Sequence, residues 1–105
     1  MCLEAAAELL IGHGTWLCRG DFLEVAVDLG TEPGRTMAYV DFAAAVEALD
    51  AGALAGSDGE KCVLRLAAGI AAGCPADLRD ALTGLDAANA ALVADAVLHA
   101  AGAQQ

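Results

Sequence analysis

Aromatic side chains, cations and prolines are all scarce in this 105-residue sequence, and each scarcity excludes something. Trp16, Phe22, Tyr39 and Phe42 are the only aromatics, whereas alanine supplies 27 residues and leucine 15. The core must therefore be built from close-packed small side chains and leucines rather than from stacked rings. Five lysines and arginines face 15 aspartates and glutamates, a formal charge of −10. A surface of that sign repels phosphate backbones and anionic lipid, so neither nucleic acid nor a membrane is expected as a partner. The imbalance is greater in residues 1–50, with nine acids and two bases, than in residues 51–105, with six and three. A basic protein partner would therefore meet the first half. No apolar run is long enough to span a bilayer. The most apolar stretch, Ala87 to Ala103, is broken by Asn89, Asp95 and His99 and falls short of the ~20 residues a bilayer needs.

The opening residues, Met1 to Glu8, carry two glutamates and no early cation, where a secretory signal has a basic start and an unbroken apolar run. A cytoplasmic protein is expected. Cys2, Cys18, Cys62 and Cys74 are then reduced thiols filling space, although an even count would allow two disulfides. The length suits one domain over residues 1–105, with no ordered structure expected of the tail Ala103-Gln104-Gln105.

Helix signals punctuate the chain. Leu3, Ala6, Ala7 and Leu10 share a face opposite Glu4 and Glu8, and Gly12-His13-Gly14 stops that helix. Trp16 and Cys18 fall in a connector or short turn. Asp41 is placed to cap Phe42–Leu49, and Gly52 to close it. Ser57-Asp58-Gly59-Glu60 is the clearest start: a serine cap, a glutamate three positions on to complete a capping box, and an aspartate against the helix dipole. Its helix runs to about Ala72, ended by Gly73 and Pro75. A short helix covers Asp77 to Thr83. Asp86 caps a last one, apolar around most of its circumference except for a stripe through Asp95 and His99. Such a helix belongs in the core or in a subunit interface. With the helix after Ser57, it is expected to form the spine.

Residues 21–29 fit two patterns. Phe22, Val25, Ala26 and Leu29 have helical spacing, capped by Asp21 with Glu24 as box partner. Leu23, Val25, Val27 and Leu29 alternate as in a strand. The fold class expected is all-α, one compact domain of five or six short helices. The alternative is α+β, with a small hairpin at about 22–40 turning through Gly30-Thr31-Glu32-Pro33-Gly34.

The stretch Val63-Leu64-Arg65-Leu66-Ala67-Ala68, followed by Asp77 to Asp86, Leu92-Val93 and His99-Ala100-Ala101-Gly102, resembles a group of small helical proteins from high-GC actinobacteria. The resemblance runs from Trp16 onward. It implies a helical cytoplasmic fold, tilts residues 21–29 toward helix, and carries over no catalytic or ligand residue.

No chemistry-bearing motif is legible. A metal site usually shows a tight ligand pair, and none is present; His13 and Cys18 would need Cys62 or Cys74 brought to them by tertiary folding. The same His13 and Cys18, beside Arg19, are the one local arrangement for a cysteine nucleophile, against an acidic background that disfavours a thiolate. Asp77, Asp80 and Asp86 are explained by helix ends, and no cofactor is implied. Asp95 and His99, four apart, form a possible pH-sensitive pair on one helix face. Trp16, Phe22, Tyr39 and Phe42 are the large members of the core or, if exposed, an interaction site, because aromatics carry much interface energy. The reading that best fits is a non-enzymatic interaction or regulatory module that self-associates, as a homodimer, through apolar helices. The alternative is a small metal- or thiol-dependent enzyme or sensor using His13 and Cys18.

Overall fold

A computed structural model describes residues 2–32 and 35–102. Pro33 and Gly34 of the expected turn, and the tail at 103–105, lie outside the described residues. The fold is mostly helical: α1 (Cys2–His13), a 3-10 turn (Trp16–Cys18), α2 (Gly20–Ala26), strands β1 (Val27–Glu32) and β2 (Arg35–Val40), then α3 (Phe42–Asp50), α4 (Asp58–Ala72), α5 (Leu78–Thr83) and α6 (Ala87–Ala100). No helix among the described residues is long and apolar enough to cross a membrane.

The helix boundaries follow local chemistry. Asp41, Ser57, Asp77 and Asp86 each accept a backbone N–H of the following turn, which satisfies donors that have no partner inside the helix. At α4 the box is complete: Ser57 Oγ accepts from Glu60 N at 3.2 Å, and the Glu60 carboxylate accepts from Ser57 N at 2.8 Å. That second bond holds the Glu60 carboxyl below the usual carboxylate range. Gly73 closes α4 in the left-handed conformation, φ 68°, which a side chain would strain.

Residues 21–29 satisfy both of their patterns in succession. Phe22 and Ala26, four apart, bury one face of α2, while Leu23 and Val25 remain exposed. β1 begins at the next residue, where Val27 pairs with Val40 and both pack against the core. Asp41 N–H donates to Ala26 O at 2.6 Å, tying the base of the hairpin to the last turn of the helix. The box expected of Asp21 and Glu24 does not form. The helix starts two residues earlier, after Arg19, and Asp21 lies in its first turn with Oδ1 accepting from Phe22 N. Arg19 takes the rest of that carboxylate, with Nε 3.0 Å from Oδ1, and this hydrogen bond holds Asp21 below its usual range.

The spine differs from expectation. α4 is the central helix, with α1, α3 and α5 around it; α6 lies on the flank of α1 and α4 and buries only Val93 and Ala96. The reason is size. Val63, Leu64, Leu66, Ala67 and Ala68 of α4 meet Ala6, Leu9 and Leu10 of α1, and Trp16 and Phe22 fill the space beside them. Trp16 is fully buried, its Nε1–H donates to Glu60 O at 2.9 Å, and its ring lies 5.7 Å from that of Phe22. Arg19 covers the outer side of Trp16 at 4.7 Å and reaches Ala55 O. With the large side chains gathered there, little remains for α6 to bury.

Candidate interaction surface

Periodicity sorts the residues of α6. At 100° per residue, Asn89, Leu92, Val93, Ala96, His99 and Ala100 fall on one side, and these are its buried and half-buried positions. The opposite side carries Ala87, Ala90, Ala91, Ala94, Val97 and Leu98, all exposed and all uncharged. Asp95 stands at the edge nearest α1. A soluble helix ordinarily turns charged residues outward. This one turns outward a surface as apolar as its core side.

α5 extends the same surface. Asp77 Oδ1 accepts from Arg79 N and Asp80 N, which starts the helix; Ala81 is buried; Leu78 and Leu82, one turn apart, are 61% and 51% exposed. Between α5 and α6 lie two adjoining apolar grooves. One, of about 550 Å³, is lined by Leu82, Leu85, Ala90, Val93, Ala94, Val97 and Leu98. The other, of about 250 Å³, shares Val93 and Val97 and is floored by Leu66, Gly69 and Ile70 of α4. Val97 and Leu98 are 52% and 47% exposed, so four large side chains project from one continuous face. The largest contiguous apolar patch on a protein, typically a few hundred Å², is often a functional one.

The opposite side of α5 is polar. A cleft of about 640 Å³ separates it from α4, with Asp58, Lys61, Arg65, Asp77 and Asp80 in its walls and Cys62 among them. Much of that charge is already engaged: Asp77 caps α5, and Arg65 pairs with Asp50 at 2.9 Å. Burial raises the Cys62 thiol pKa, and Asp58 raises it further, so Cys62 is poorly suited to act as a thiolate.

The residues singled out from sequence are distributed as follows. Trp16, Phe22 and Phe42 are sealed in the core and form no surface site; of the four aromatics only Tyr39, 46% exposed and in register with Asp28, reaches the outside. Asp95 and His99 line one small cavity but make no ion pair with each other. His99 is turned to α1 instead, with Nδ1 2.9 Å from Glu8 Oε2 in a contact not aligned as a hydrogen bond, and Nε2 3.9 Å from Glu4 Oε2. His13 closes α1 with Nδ1 buried, and Cys18 is exposed at the end of the 3-10 turn. Among the described residues no three His, Cys, Asp or Glu side chains converge on a metal position.

Sequence reasoning missed Leu78 and Leu82. Their four-residue spacing was visible, but six residues of helix offer too little pattern to show which side faces α4. No family model matches the chain, and no curated protein or solved structure is significantly similar to it.

Proposed function

We propose that the protein is a non-enzymatic interaction module that engages a protein partner through the face formed by α5 and α6. The outward side of α6 carries this reading: six apolar residues with no charge among them, on a chain of net charge −10. Covering that face removes apolar surface from water at roughly 25 cal/mol per Å², with no carboxylate to desolvate in its centre. A cytoplasmic setting accords with four cysteines that are all unpaired. The resemblance to small helical actinobacterial proteins adds no site residue.

The test is a photoreactive amino acid placed in living cells at Leu98, within the face, and at Ala43, an exposed position on α3 outside it. Discrete protein adducts from position 98, absent from position 43 and abolished by Val97→Asp, are expected. Adducts that ignore Val97→Asp, or none from position 98, would remove the assignment.

A further inference from the structure

We infer that the occupant of the α5–α6 face is a second copy of this chain, in a two-fold contact of α6 against α6; this rests on the interaction reading above. The argument is one of charge. A basic partner attracted by the −10 surface would have to place its cations against Ala90, Ala94, Val97 and Leu98, where no carboxylate meets them and desolvation opposes binding. The partner surface must be neutral and apolar at its centre, and this face itself has that composition. A two-fold axis sets like against like, so two such faces meet without bringing any carboxylate to the middle of the contact. Asp95 is turned toward the side of α6 shared with Glu8 and His99 of the small cavity, away from Ala90 and Val97.

Shape agrees with charge. Ala87, Ala90, Ala91 and Ala94 make the outward side of α6 shallow, while Leu78, Leu82 and Leu98 stand proud beside an open groove of about 550 Å³. Two-fold pairing lays the projecting leucines of one copy into the groove or over the alanines of the other. Fourteen residues make α6 about 21 Å long, and with α5 alongside the face is roughly two helix diameters wide. Because α5 spans only six residues, the projected footprint is only ~300 Å² per copy, below the ~800 Å² per partner of a standard specific interface, so the pairing is weak and transient, with a dissociation constant of micromolar order or above, rather than a permanent dimer. Elsewhere the two chains repel, so salt that screens charge over ~10 Å strengthens the pairing.

The experiment is sedimentation velocity of the reduced full chain from ~1 to ~500 μM, in low and high sodium chloride, bracketing the expected constant. Wild type is compared with Ala94→Glu, Leu98→Glu and, off the face on α2, Leu23→Glu, each checked for helix content. A dimer that tightens with salt, loosens at least about tenfold in Ala94→Glu and Leu98→Glu and is unchanged in Leu23→Glu is the expected result. Monomer throughout, a dimer indifferent to both face substitutions, or one that loosens with salt overturns the inference. The photo-adducts from position 98 separate the two levels. A mass of twice the chain supports self-pairing; an adduct with a different protein overturns it and leaves the interaction module standing. No adduct together with a monomer removes both.

Discussion

Replacing Gly84 by alanine is expected to change sign with the residue at position 62. Gly84 follows α5 at φ −83°, ψ −3°, a conformation open to any L-residue, so its backbone gives no reason for glycine. Taken alone, alanine there would stabilise the fold by roughly 0.4–1 kcal/mol by restricting the unfolded chain. The obstacle is the Cys62 sulfur, 2.7 Å from where the new Cβ would lie. Ordinary non-bonded contact needs about 3.5–4.0 Å, so a shift of about 1 Å is required. Rotating Cys62 gives up its 3.9 Å contact with Asp80 O, and moving the 84 backbone is limited because Gly84 O already lies 3.1 Å from the position of a Cβ on Gly59. Either adjustment costs about 1–2 kcal/mol. Gly84→Ala should therefore destabilise wild type by up to about 1.5 kcal/mol and stabilise the Cys62→Ala variant, a coupling of ~1–2 kcal/mol in a double-mutant cycle. Urea unfolding followed by Trp16 fluorescence measures all four proteins. Equal effects of Gly84→Ala in the two backgrounds would refute the close approach of the Cys62 sulfur to Gly84 at the end of α5.

Ser57→Ala removes the acceptor for Glu60 N and should lower stability by about 0.5–2 kcal/mol in urea unfolding, whereas Ser57→Thr keeps the cap and most of the stability. The Glu60 carboxyl is depressed in the folded protein, so its contribution is present above the unfolded value of 4.5 and is lost as pH falls through the folded one. Glu60→Gln still accepts from Ser57 N–H but does not titrate. Its stability deficit relative to wild type should accordingly shrink between pH 7 and ~pH 2, read from urea midpoints; a constant deficit would contradict the assignment.

Elements whose signals lie within one turn were readable from sequence. The caps at Asp41, Ser57, Asp77 and Asp86 and the stop at Gly73 act between residues at most four apart, and the observed helices begin and end where those residues stand. Residues 21–29 show where local information ends. Phe22 with Ala26 satisfies helix, Val27 opposite Val40 satisfies strand, and the change between them is made by the partner segment, whose Asp41 N–H reaches back to Ala26 O. The polar neighbours of His99 show the same limit. Helical spacing brings Asp95 near, but Glu8, 91 positions away in sequence, comes closer.

The candidate surface divides in the same way. That α6 is apolar on almost every side, and that the chain carries ten net negative charges, follows from composition and helical period, which are local properties. Which side α6 shows to water depends instead on how the other helices pack. Trp16, Phe22 and the leucines of α1 pack around α4 and fill most of the core, so α6 adds only Val93 and Ala96 to it, since buried volume is a property of all the helices together. That packing leaves Ala90, Ala94, Val97 and Leu98 outside, beside Leu78 and Leu82 of a helix too short to reveal its own orientation.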